Sequence, residues 1–142
     1  MDEGDGTVSG KPDRLAALLQ ALRTGTPRAA WHARKELAAM GRAAEAPVLG
    51  LLRESRDASR VQELLGVLQH IRIAEPSSVE AVVRLLHHEQ SRVRAAAAEC
   101  LLHSSPKLKP HLPAVQAALE RESDTTTRHA LQMLLHRYPR GQ

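Results

Sequence analysis

The sequence predicts an all-α fold, a right-handed α-solenoid of about four helical hairpins, and three observations carry that prediction. Helix formers dominate the 142 residues: Leu, Ala, Arg, Glu and Gln are abundant, while the aromatics are only Trp31 and Tyr138. That bias favours helices over sheets. Pro12, Pro47, Pro76 and Pro110 each stand at or near the start of an apolar periodic stretch, where a helix tolerates proline because its first amides are unpaired anyway. The chain also repeats itself: Ser59, Ser91 and Ser123 are 32 residues apart, as are Ala29, Val61 and Val93.

Taken in order, the hairpins are expected at about 12–40, 43–72, 76–104 and 108–138, separated by Gly41, "AEPSS" and "SSPKLKP". A flexible acidic, glycine-rich head precedes them at 1–11, and a short tail follows at 139–142. The first helices end in similar phrases, "LLQALRTGTPR", "VLGLLRESRD", "VVRLLHHEQSR" and "VQAALERESD". A second helix then starts each time. Its expected N-caps are Thr26, Ser59, Ser91 and Ser123, whose hydroxyls can accept from free first-turn amides. Apolar residues recur at helical spacing in each second helix: Ala33, Leu37 and Met40; Val61, Leu64, Leu65 and Leu68; Val93, Ala97, Cys100 and Leu101; Ala130, Leu131 and Leu134. One hairpin cannot hide both its faces. Stacking hairpins side by side buries a continuous core.

The stretch "QSRVRAAAAECLLHS" (90–104) places four alanines in the middle of the third second helix. In a stack that helix has neighbours on several sides, and small side chains let their backbones approach, so the third hairpin should be the most enclosed. Here the chain resembles a known family. "SRVRAAAAECL" is similar to the second-helix signature of HEAT-like repeats, Val-Arg-x-x-Ala-Ala-x-x-x-Leu, which is also seen in the phycobilin-lyase type. The resemblance spans essentially residues 12–138 and is clean only in the third repeat. At the positions of Val93-Arg94 the other repeats have Ala29-Ala30, Val61-Gln62 and Thr125-Thr126, so the family's ladder of Asp and Arg side chains is degenerate. The resemblance implies a non-catalytic scaffold that holds a partner on a concave surface lined by second helices. It implies no lyase activity, because the repeat pattern is shared far beyond those enzymes.

Charge suggests what such a surface holds. Residues 11–142 carry 20 basic and 13 acidic groups, a balance of +7, and 16 of the basic residues are Arg. A basic surface attracts acidic proteins, nucleic acid or anionic lipid alike. Arg28, Arg60 and Arg92 share the 32-residue frame, with Arg128 one turn later in the fourth repeat. Cations at a helix N-terminus oppose the macrodipole at a cost of some tenths of a kcal/mol, so something should offset it. Either they pair with Glu54, Asp57, Glu89, Glu122 and Asp124 just before the same helices, or they form a stripe for an acidic partner. Trp31 lies beside the line Ala30, Ala33, Leu37, and it either covers the seam between the first two repeats or serves as a binding hot spot. The candidate partner-binding residues are Arg28, Trp31, Arg60, Arg92, Arg94 and Arg128.

Other chemistries find little support. His70, His103 and His136 recur every 33 residues, but repeats stacked roughly 10 Å apart keep equivalent groups too distant for common ligation at about 2 Å. No metal or other cofactor is expected. There is no G-x-S-x-G elbow, Walker loop or H-E-x-x-H, and "GDGTVSG" follows no strand. Cys100 falls on an apolar helix face, where a buried structural thiol is expected and a nucleophile is not. No stretch approaches the roughly 18 to 20 apolar residues of a membrane span, "MDEGDGTVSG" lacks the blocks of a signal peptide, and a single cysteine suits a reducing compartment. The expectation is a cytoplasmic protein with no membrane partner. The leading function is protein binding; the alternative is nucleic-acid binding along a duplex backbone through the Arg stripe, although missing stacking aromatics argue against single strands. The three threonines opening "SDTTTRHALQMLLHRYPR" suit a terminal capping repeat, while an apolar "LAALLQAL" at the other end suits end-on docking to another subunit.

Overall fold

Thr26 shows how the first hairpin is made. The chain leaves one helix at Thr24, its Gly25 amide donates to the Ala21 carbonyl (2.9 Å), and the Thr26 hydroxyl accepts from the Ala29 amide (3.1 Å) to start the next. The turn needs glycine: a Cβ at Gly25 would sit 2.4 Å from the Ala21 oxygen. The structure, a computed structural model, describes the backbone at residues 3–104 and 108–137 and side chains from residue 13 onward. Eight α-helices and one 3-10 turn run through these residues, and no strand is found among them. They are α1 (Glu3–Thr24), α2 (Pro27–Met40), α3 (Arg42–Glu54), α4 (Ala58–Ile71), α5 (Pro76–Leu85), α6 (Ser91–Ser104), α7 (Leu112–Arg121) and α8 (Thr125–Arg137), with the 3-10 turn at Lys109–His111.

Each odd helix packs antiparallel-fashion, as a hairpin, on the even helix that follows, and the even helices pack along one another as α2–α4–α6–α8. The odd helices α1, α3 and α5 meet only at a few residues. A row drawn together on one side and splayed on the other curves toward the first, so the second helices line the inner side of an all-α solenoid. Small residues permit the close approach. Ala97 and Ala98 of α6 are fully buried, while Ala95 and Ala96 of the same turn remain partly open. Every apolar position expected in the second helices is buried except Met40, which is partly covered.

Local starts and stops differ from the sequence expectation at three caps. Asp57 takes the place of Ser59 at α4, its carboxylate accepting from the Arg60 amide (3.0 Å). Asp124 takes the place of Ser123 at α8, accepting from the Thr127 amide (3.0 Å) and hydroxyl (2.8 Å). Ser91 is itself the first residue of α6, whose opening amides at Val93 and Arg94 donate to the Gln90 carbonyl. A carboxylate complements the positive helix end better than a hydroxyl does, which explains the first two shifts. Pro76 opens α5, but Pro47 lies inside α3, where it removes one i to i−4 bond. α1 begins at Glu3, so its backbone runs helically through most of the segment that composition sets apart as a head, despite Gly4, Gly6, Gly10 and Pro12; nothing in the described contacts explains why. The tail 139–142 lies outside the described residues.

Two residues reverse the chain in left-handed backbone. Gly41 (φ 64°) links α2 to α3, where glycine costs nothing sterically. Arg72 (φ 69°, ψ 88°) ends α4 in the same region without that freedom. Arg72 is exposed, so Arg72→Gly should relieve strain and lose no packing. The expected outcome is a gain of roughly 0.5–1 kcal/mol in thermal or denaturant unfolding.

Candidate functional site

The inner face follows from the even helices. Turns of α2 present Arg28, Trp31 and Lys35, and turns of α4 present Ser59, Gln62, Glu63, Gly66 and His70. Between them runs an open groove of about 720 Å³, floored by Ala38, Gly66 and Val67. Trp31 stands at its mouth with 48% of its surface exposed. The ring is gripped by its own helix: the Lys35 ammonium lies 4.6 Å from its centroid, and the His32 ring meets it edge-on at 5.0 Å and 79°. Trp31 therefore neither plugs the seam nor escapes it. Across the groove Arg34 pairs with Glu63 (3.5 Å), which Arg60 approaches from the preceding turn (3.8 Å).

The six candidate residues do not form one free stripe. Arg28 and Arg92 are exposed, and neither makes an ion pair among the described residues. Arg60 reaches back to donate to the Arg23 carbonyl at the end of α1 (3.0 Å). Arg128 donates to the carbonyls of Leu119 and Glu122 at the end of α7 (both 2.9 Å). Arg94 is the most deeply engaged. Its guanidinium meets both Glu122 carboxylate oxygens (2.7 and 3.2 Å) and donates to the carbonyls of His88 (2.7 Å) and Glu89 (3.0 Å). Arg60 and Arg128 thereby satisfy exposed carbonyls at helix C-termini, where a cation is favoured, and Arg94 satisfies two carbonyls of the loop between α5 and α6. The cost expected from cations at a helix start is thus offset by reach: Arg60 and Arg128 extend to the negative ends of other helices, and Arg94 to the Glu122 carboxylate.

Burial alone would push the Glu122 carboxyl up, but the Arg94 fork and the Asp124 amide (3.0 Å) outweigh it and hold the group below its ordinary value of 4.5. The same fork keeps Arg94 more firmly protonated. Asp124 is likewise held low, chiefly by the Thr127 hydroxyl and amide.

Sequence reasoning missed Glu45, a buried carboxylate of α3. Its Oε2 accepts from the amides of Ala74 (3.0 Å) and Glu75 (2.9 Å), closing the backbone that enters α5. Oε1 finds no partner, nor does the buried Ser78 hydroxyl nearby in chain order to that helix start. Next to these amides, Ile73 N donates to the Ser104 hydroxyl of α6 (3.1 Å). The one available signal was a lone acid amid "AAEAPVL", which also fits a solvated face.

Cys100 lies fully buried in α6, and burial pushes its thiol up to about 12, the behaviour of a structural thiol kept from water. His70 and His103 share one local geometry, each Nδ1 donating to the carbonyl four residues back, Gly66 and Glu99 (both 2.9 Å). Among the described residues no three His, Cys, Asp or Glu side chains are grouped to hold a metal ion. No described helix is long and apolar enough to cross a membrane.

A family model described as HEAT repeats matches residues 51–135, more than half of the chain. The protein belongs to the HEAT-repeat family. Comparison with curated proteins and with solved structures finds no match. HEAT repeats generally serve as scaffolds for protein–protein interaction and are generally non-catalytic. The match covers α4 to most of α8, the part in which the repeat signature "SRVRAAAAECL" stands.

Two outcomes test this description. Arg94→Met should cost about 3 kcal/mol or more at neutral pH, because it strands the Glu122 charge in the interior; urea unfolding reads it. The wild type should lose stability as pH falls from about 4.5 through the folded value of Glu122. The unfolded chain takes up protons there before the folded one does. A pH series of unfolding midpoints should show this slope in the wild type and a flatter one in Arg94→Met.

Proposed function

We propose that this HEAT-repeat protein is a non-catalytic adaptor that holds a protein partner against the inner face lined by α2, α4, α6 and α8, and that the partner presents an acidic surface. The observation that carries the reading is Trp31, half-exposed at the mouth of a preformed groove on that face. A large ring kept out of the core yet fixed by Lys35 and His32 is organised before any partner arrives, which lowers the ordering cost of binding. Arg28 and Arg92 supply positive charge on the same row of helices. The adaptor works in a reducing cytoplasmic compartment, which suits its single unpaired thiol. Duplex binding through an Arg stripe loses support from the structure, since Arg60, Arg94 and Arg128 spend their donors on backbone carbonyls or Glu122.

Affinity capture from the native cell should recover the same protein with wild type and lose it with Trp31→Ala or with the double variant Arg28→Glu, Arg92→Glu, helicity being unchanged in both. A partner retained by both variants overturns the inner face as the contact. Duplex affinity that is high at low salt and falls steeply at moderate salt would instead favour the nucleic-acid reading.

A further inference from the structure

Resting on the inner face as a partner-binding surface, we propose that the seam between α2 and α4 docks one acidic segment of a protein partner, which places a bulky aliphatic side chain over Gly66 and a carboxylate on Lys35. Four observations assign it. Gly66 sits in the interior of α4, where glycine costs about 1 kcal/mol relative to alanine. A Cβ there would meet nothing within 4 Å, so packing within the chain does not require the glycine. Close approach of an occupant does. Gly50 of α3 is equally open but does not line this groove; at Gly66 the missing side chain deepens the groove floor beside Ala38 and Val67.

The groove's charge is the second observation. Glu63, the one acid among its lining residues, is already met by Arg34 and Arg60. Lys35 has its ammonium on the Trp31 ring and no carboxylate within ion-pair distance among the described residues. His70 has its Nδ1 proton committed to the Gly66 carbonyl, a group that can only accept, which leaves Nε2 of the neutral ring as an acceptor for an amide or hydroxyl of the occupant. The rim therefore complements an acidic segment and repels a basic one.

Size is the third. From Ser59 to His70 the α4 wall runs about 16 Å, the length of three helical turns, and the volume of about 720 Å³ takes several side chains. Trp31 supplies the fourth, a flat apolar wall against which an aliphatic side chain lying over Gly66 can rest.

Selection of displayed random peptides about twelve residues long, matched to that length, against the full wild-type chain, with every winner then measured on Gly66→Leu, tests the assignment. Leucine at 66 points into open groove and improves helix propensity, so the fold is retained; Gly66→Ala serves as the control that raises stability. The expected winners combine Asp or Glu with a single Leu, Ile or Met at fixed spacing. They should shift the emission of Trp31, the sole tryptophan, and bind at least about tenfold more weakly to Gly66→Leu and to Lys35→Glu. Winners that are basic, winners that bind Gly66→Leu as well as wild type, or no winners at all would overturn the groove. Winners indifferent to Gly66→Leu but lost on Arg28→Glu, Arg92→Glu would overturn it while leaving the adaptor reading standing. A concentration-dependent dimer dissolved by Gly66→Leu would name a second copy as the occupant and overturn it too.

Discussion

The close approach of neighbouring second helices is the constraint on which the architecture rests. No single hairpin has enough apolar area to stand alone, and the area that matters lies between hairpins. α6 shows the requirement in its purest form, with α5 behind it and α4 and α8 on either side. Val93, Ala97, Ala98, Cys100 and Leu101 are all shut away from water. Alanine at 97 and 98 lets the helices come close, and leucines on the flanking helices, such as Leu64, Leu68, Leu131 and Leu134, fill what remains. The inner curvature, and with it the groove beside Trp31, is a by-product of that unequal spacing.

Polar side chains then complete what apolar packing leaves unfinished. Helix ends expose carbonyls and amides that a short-turned solenoid cannot send wholly to solvent. The chain answers with long reaches: Arg60 to the end of α1, Arg94 to the loop between α5 and α6, Arg128 to the end of α7, Arg137 to the Leu102 carbonyl near the end of α6 (2.6 Å), and Glu45 to the start of α5. Much of the arginine excess therefore belongs to the structure, and only part of it is free to face a partner.

The periodic pattern of the second helices was legible in sequence because one residue in three or four faces the core whatever its neighbours are, and Leu37, Leu65 and Leu131 obey that rule without exception. Caps were harder. At α4 and α8 a serine and an aspartate stand within two residues of each other, and only the backbone decides which side chain turns inward. The arginines were misleading for a related cause. Equal spacing in the chain gave Arg28, Arg60 and Arg92 one frame, whereas reach and partner sort them otherwise: Arg60, Arg94 and Arg128 act alike, and they are 34 residues apart. Trp31 could be placed on a face but not on a side of the seam, since that depends on how far α2 and α4 stand apart. Glu45 could not be found at all, because its role depends on amides of a loop 29 and 30 residues away.

The bonds of Glu45 and Ser104 to the loop at Ile73–Glu75 bear on how the chain comes apart. That loop joins the second hairpin to the third, and it is clasped from both: by α3 on one side and by the last residue of α6 on the other. Tension applied to the two ends would thus meet a stitched hem at mid-length, where a hairpin cannot be peeled away without also unfastening its neighbour. The second and third hairpins therefore open together.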